Sequence, residues 1–272
     1  MINATNWKKN LYENYGLPDN YTDVSFLEEL RKNIKPHSVT VKEAINLGAS
    51  ISIQFSIVIL FVIVFIWLNN DWATPNTIFI ISTILTIIGY LKYILKSCKM
   101  LERVSKDLRT VLIFLAFGYI LSPVLKTLTE TISTDTIYAM TIFMFLIHLI
   151  FSKYGSTNVS LSESLSITSS IFGSLMLTSR LSTPSHAFSL LTVAVQCFVL
   201  LPFLLSKLHN KIFISNILAF GTLYLLCNIS ATLSYVFVSM LILVHFICPL
   251  WYIKCQRYKE NIYGPWDEAV VD

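Results

Sequence analysis

The sequence predicts an all-α membrane protein, a polytopic bundle of eight transmembrane helices with its N- and C-termini in the cytosol. Three observations predict it. Charged residues make up only 13% of 272, about half the share of an ordinary soluble domain. The chain carries eight continuously apolar runs, each near the roughly 20 residues that span a hydrocarbon core. Its basic residues fall almost entirely on one side of those runs. Hydrophobic residues reach 54% and mean hydropathy is +0.65. These values exclude a single soluble α/β domain, a disordered chain and a nucleic-acid binder, and leave a polytopic membrane protein.

The first run, Leu47–Leu68, ends in an almost pure Ile/Val/Phe stretch. The second is Thr77–Leu95, with Lys92 near its end, and the third is Thr110–Leu128, carrying Pro123 and Lys126. The fourth, Ser133–Phe151, holds His148. The fifth, Val159–Ser179, is the weakest, being Ser-rich and containing Glu163. Then come Ser185–Leu205, Ile212–Ile229 and Thr232–Ile253. The last two are separated only by Ser230–Ala231 and read as a helical hairpin, because one continuous helix would be about twice the bilayer's length. Strands of a membrane barrel would alternate apolar and polar residues, and these runs do not. Helices satisfy their own backbone groups in lipid.

Charge placement supports keeping the fifth run. With eight spans and a cytosolic N-terminus, 18 of the 20 Lys and Arg residues lie in cytosolic segments, and only Lys126 and Arg180 lie on the luminal side. That asymmetry obeys the positive-inside rule. Dropping the fifth run would move Lys207, Lys211, Lys254, Arg257 and Lys259 outside. The expected organisation is therefore a cytosolic segment 1–46, a membrane domain 47–253 and a cytosolic tail 254–272. Within 1–46, the stretch Asn20–Ile34 reads as a short amphipathic helix: Ser25 and Glu28 have capping-box spacing, and Phe26, Leu27, Leu30 and Ile34 share a face. That face suits either the membrane surface or a docking partner. Five cysteines show no metal-binding spacing, and those in the apolar runs read as small buried hydrophobes.

Motifs that carry chemistry are missing. The sequence has no DxD, HExxH, GxSxG or phosphate-binding loop, and no soluble stretch long enough to house a nucleotide-sugar fold. No catalytic residue, cofactor or metal ligand is assigned. Intramembrane ionisable groups are the default candidates. Glu163 lies near the cytosolic interface and reads as solvated; His148 and His245 read as hydrogen-bonded packing histidines. A luminal charge cluster is the sharper candidate: Lys126 and Glu130 are one turn apart, Asp135 opens the fourth helix and Arg180 closes the fifth. The cluster reads as a charge-paired seam or as a contact for a polar headgroup or partner loop. In the tail, Asn261, Gly264, Pro265 and Trp266 form a turn with an aromatic anchor, the composition of a contact between subunits.

Five strings stand out from the apolar background: KKNLYENYGLPDNYTDVSFLEELRKNI (8–34), SPVLKTLTETISTDTIYAM (122–140), HLIFSKYG (148–155), SRLSTPSHAF (179–188) and KENIYGPWDEA (259–269). Together they resemble the PIG-C family, whose members belong to the phosphatidylinositol N-acetylglucosaminyltransferase complex, from about Trp7 to Ala269. Lys153 stands where that family usually has an Asp, and the second cytosolic loop looks shorter than is usual.

The resemblance implies a non-catalytic, multi-pass subunit in the endoplasmic reticulum membrane. Its complex moves N-acetylglucosamine from UDP-GlcNAc to phosphatidylinositol, the first step of glycosylphosphatidylinositol anchor synthesis. It implies as partners the catalytic PIG-A subunit, the other subunits of that complex, phosphatidylinositol and membrane lipid, and no nucleic acid. The alternative from another class is a polytopic lipid transporter or scramblase, for which Pro123, Pro202 and Pro249 would supply broken helices.

Overall fold

The computed structural model describes residues 31–32, 39–94, 100–128, 131–154, 160–206, 211–258 and 262–263. They fall into two units, one drawn from the chain ends (1–40 and 251–272) and one formed by Val41–Leu250. Among the described residues the larger unit is built only of helices. These are α1 Val41–Asn69, α2 Pro75–Ile94, α3 Met100–Leu128, α4 Thr134–Phe151 and α5 Ser160–Thr178. Next is α6, which starts as Pro184–Val195, passes through a π-helical turn Gln196–Leu200 and ends as Leu201–Ser206. Then come α7 Lys211–Cys227 and α8, made of Ala231–Ile242, a π turn Leu243–Ile247 and Cys248–Cys255. Each helix covers the apolar run expected there. By length and composition α1, α4, α6 and α8 are long and apolar enough to cross a membrane; α2, α3 and α7 hold shorter apolar stretches. Helix α5 is in neither group, because its Ser content lowers its hydropathy.

The two π turns have one cause. In α8 the Cys248 N–H bonds the Leu243 carbonyl, five residues back, and Pro249 follows without an N–H. In α6 the Leu201 N–H bonds the Gln196 carbonyl and Pro202 follows. A proline inside a helix clashes with the carbonyl four residues earlier, and widening the preceding turn relieves the clash.

Helix α1 is the axis of the bundle. One face packs Ile53, Ile57, Phe61 and Phe65 against Phe145 of α4, Leu177 of α5 and Leu190, Ala194 and Phe198 of α6. Phe61 meets Phe145 and Phe198 with ring centroids 5.9 and 5.2 Å away. The opposite face carries Gly48, Ser52 and Ser56, spaced four residues apart, and a second cluster joins Ile63 to Leu226 and Phe237. Small residues let helix backbones approach closely in lipid. A Cβ at Gly48 would lie 2.9 Å from the Val244 carbonyl oxygen, so the α1–α8 contact needs glycine there.

Among the described residues, helix α5 forms the most extensive helix pair, with α4. Its Ser166, Ser170, Ser174 and Thr178 lie on one buried face. The hydroxyls of Ser170, Ser174 and Thr178 donate to carbonyls of their own helix at 2.7–2.8 Å, so burial leaves them paired.

Two sequence expectations change. Cys197 is buried, but Cys227, Cys248 and Cys255 are exposed: positions facing out of a bundle in lipid favour apolar side chains as much as a core does. In the smaller unit, Arg31 and Lys32 are extended (β1) and pair antiparallel with Ile262–Tyr263 (β2), Arg31 opposite Tyr263 and Lys32 opposite Ile262. The helix expected over Asn20–Ile34 therefore does not include them. Pro36 close behind disfavours helix at Lys35, and the second strand offers backbone partners. Residues 20–30, with Phe26, Leu27 and Leu30, lie outside the described residues.

Candidate functional site

Polar side chains gather at two levels of the bundle. The first level is the end closed by the α1–α2, α3–α4 and α5–α6 connections. Asp71 adopts a left-handed backbone, φ 55°, in the α1–α2 connection, a conformation Asp tolerates better than most residues. Its Oδ1 lies 3.2 Å from Nε2 of His186, whose side chain is nearly buried. His186 Nδ1 contacts the hydroxyl of Thr183, which caps α6. Ser189 donates to the Pro75 carbonyl at 3.0 Å, and Ser122 of α3 donates to the Pro184 carbonyl. Arg180 donates from Nη2 to the Ile132 carbonyl, and Ser133 caps α4 by accepting from the Thr136 N–H. The three connections are thus joined through side chains that bond backbone carbonyls and one His–Asp contact.

The expected charge cluster maps onto this end in part. Arg180 is brought to the α3–α4 connection, and Asp135 sits in the first turn of α4, where a carboxylate complements the helix dipole. Lys126 lies within α3, with its side chain outside the described residues, and Glu130 lies outside them altogether. The tail residues Asn261, Gly264, Pro265 and Trp266 also lie outside them. Sequence reasoning missed Asp71, Ser122, Thr183, His186 and Ser189. The string SRLSTPSHAF holds two of them, Thr183 and His186, but the acid that His186 meets is distant in sequence.

The second level surrounds His148, one turn before the end of α4. The imidazole is 2% exposed. Its Nδ1 lies 3.0 Å from the Ser166 carbonyl and 2.9 Å from the Ser166 hydroxyl. The Ser166 hydroxyl donates to the His148 carbonyl at 3.1 Å, and Ser152 lies 3.0 Å from that hydroxyl. Tyr154 donates its hydroxyl to the Leu149 carbonyl. Burial pushes that hydroxyl up to about 12, opposed by a hydrogen bond with Ser152. Outside this layer Lys153 and Glu163 stand 3.9 Å apart, both about half exposed. His245, at the π turn of α8, pairs Nδ1 with the Ser52 hydroxyl at 2.8 Å. His148 and His245 are both hydrogen-bonded packing residues, as expected.

Comparison with known proteins adds the following. A family described as phosphatidylinositol N-acetylglucosaminyltransferase, GPI2, matches residues 7–267. The C subunit of phosphatidylinositol N-acetylglucosaminyltransferase from Bos taurus is 39% identical over 97% of this chain and 93% of its own length. The Homo sapiens protein of the same name is 38% identical with the same coverage. The phosphatidylinositol N-acetylglucosaminyltransferase GPI2 subunit of Schizosaccharomyces pombe is 28% identical over 97% of this chain and 86% of its own length. No solved structure matches.

Proposed function

The chain belongs to the GPI2 family of phosphatidylinositol N-acetylglucosaminyltransferase, and from that premise we propose that it is the membrane-spanning, non-catalytic subunit of such a complex. The observation that carries the reading is the match over residues 7–267, which takes in the whole helical bundle and both terminal strands. In this reading all eight helices cross the endoplasmic reticulum membrane, with segments 1–46 and 254–272 in the cytosol. The Arg180 connection faces the lumen and the His148 layer lies on the cytosolic side.

The physical task is one of proximity. Phosphatidylinositol stays in the bilayer and UDP-GlcNAc stays in the cytosol. A multi-span protein that holds a soluble catalytic partner, PIG-A, above a lipid-binding surface converts their encounter into an effectively intramolecular one. Basic residues of the second cytosolic segment, Lys96, Lys99, Arg103, Lys106 and Arg109, concentrate anionic inositol lipid near that surface. The paired termini and the tail turn at Gly264–Pro265 are the proposed grip on the partner proteins, and the luminal charges Lys126, Glu130, Asp135 and Arg180 are a structural seam.

Purification of the tagged chain from membranes tests this directly. Transfer of N-acetylglucosamine from UDP-GlcNAc to phosphatidylinositol should accompany the chain and vanish when it is stripped of its partners. Activity in the stripped chain would overturn the non-catalytic role, and absence from both preparations would overturn membership of a working complex.

A further inference from the structure

The His148 layer has an unanswered valence. A carbonyl only accepts, so the 3.0 Å contact to the Ser166 carbonyl places the ring proton on Nδ1. The Ser166 hydroxyl also lies within hydrogen-bond reach of the His148 carbonyl and of Ser152 Oγ. In the uncharged ring, Nε2 is then a bare lone pair. It is buried and has no hydrogen-bond partner among the described residues. A second acceptor shares that condition. Gln54 Oε1 of α1 is buried and also without a partner among the described residues.

The two lie on the same side of one aromatic layer. Phe61 meets Phe145, and Phe65 meets Tyr138, so α1 and α4 run antiparallel through that layer. Gln54 precedes Phe61 by two turns on the same helix face, and His148 follows Phe145 by one turn. Both steps lead toward the same end of the bundle, the one where Lys153 and Glu163 pair. The cover over the imidazole is Phe198, edge-on at 5.2 Å, and Phe198 sits within the π turn of α6. A π turn is a place where helix register changes locally, and such turns concentrate at functional sites. Two buried acceptors with no donor in low dielectric are costly unless a donor arrives.

We propose that His148 Nε2 and Gln54 Oε1 form an intramembrane acceptor site for the hydroxyls of an inositol phospholipid, with Phe198 on the α6 π turn as its cover. The chemistry selects the class. The Nε2 lone pair and the Oε1 oxygen accept, so the ligand presents hydrogen-bond donors. An inositol ring is rich in them, and a choline headgroup has none. The depth fits, one helical turn inside the ion pair that marks the interface. This proposal rests on the function proposed above for its ligand, but not for its test.

The experiment uses the assembled complex in phosphatidylcholine nanodiscs containing a photoactivatable phosphatidylinositol, with labelling read on this chain. His148→Asn keeps a donor for the Ser166 carbonyl and removes the acceptor at Nε2. His148→Gln keeps an acceptor near Nε2. Gln54→Met removes the second acceptor at similar volume and guards against a His148 variant that fails to fold. Labelling should fall about five- to tenfold in His148→Asn and in Gln54→Met, the scale of one lost hydrogen bond. It should be largely retained in His148→Gln, and unlabelled phosphatidylinositol but not added phosphatidylcholine should compete. Unchanged labelling in folded His148→Asn and Gln54→Met complexes would overturn the site, as would equal competition by phosphatidylcholine. Labelling is scored whether or not sugar is transferred, so a complex without transferase activity would sink the proposed function and still decide the site.

Discussion

Helices α5 and α8 invert the usual relation between polarity and burial. Helix α5 is rich in serine and falls short of a spanning helix by hydropathy, yet its Ser170 and Ser174 are fully buried against α4. Helix α8 is long and strongly apolar, yet only 11% of its apolar window is buried, against 56% for α1. Tyr235, Phe246, Leu250 and Trp251 of α8 are each more than 60% exposed. The difference teaches that hydropathy alone does not decide burial here: α5 is buried through small hydroxyl residues, α8 stays exposed although apolar, and α1 is both strongly apolar and the most buried of the candidate spans. In water both would be driven inward by hydrophobicity; in a bilayer the tails are as apolar as leucine, and close packing decides what lies inside.

The sharpest way to break that comparison is to make the interior more hydrophobic. Gly48→Leu would drive a side chain into a carbonyl oxygen and should abolish folded protein, read as loss of the monodisperse peak in detergent chromatography. Ser174→Leu should cost about 1–3 kcal/mol through overpacking despite raising the hydropathy of α5, read as a lower melting temperature. Ser52→Ala removes the hydroxyl from His245 and should cost about 1 kcal/mol in the same melting experiment. On α8, Val236→Ala or Phe246→Leu should stay within about 0.5 kcal/mol, because both side chains are mostly exposed and little packing is lost. The last effect is confined to alkaline pH and lies at Tyr154. Its hydroxyl is raised from 10.0 to about 12, so the stability from its neutral form is complete below pH 10 and lost as pH rises through 12. Tyr154→Phe should erase that alkaline step in a thermal titration, and an unchanged step would assign it elsewhere.

The same contrast explains what was legible in the sequence. Lipid-facing runs announce themselves, so the eight helices lie where the apolar stretches put them, and the Ser230–Ala231 break between α7 and α8 was readable from length alone. Helix α5 was readable only indirectly, through the charges beyond it. The π turns were not legible, although Pro202 and Pro249 mark them: a proline predicts a disturbance and not its form. The partners of Asp71, Arg180 and Ser189 were out of reach because each bond joins segments far apart in the chain. The bonds of Arg180, Ser189 and Ser122 end on backbone carbonyls, which any residue supplies. At the candidate site the sequence offered His148 as a packing histidine, and it is one. What it could not offer was which nitrogen is occupied, since the Ser166 carbonyl assigns the tautomer.

One further consequence follows from the two short strands. Arg31 opposite Tyr263 and Lys32 opposite Ile262 are backbone pairings between residues on either side of the whole bundle in sequence. Such bonds cannot be made across a bilayer, so they accord with the proposed reading, in which both terminal segments are cytosolic and the path from Val41 to Leu250 returns to the face it left. Crossings then come in twos: every added or deleted span must be matched by another. A seven-span topology would tear the strands apart, whereas a four-span or eight-span one keeps them. Tags at the two ends should therefore be reached by protease from the same side of a sealed vesicle, and opposite sides would break the even parity that the two residue pairs imply.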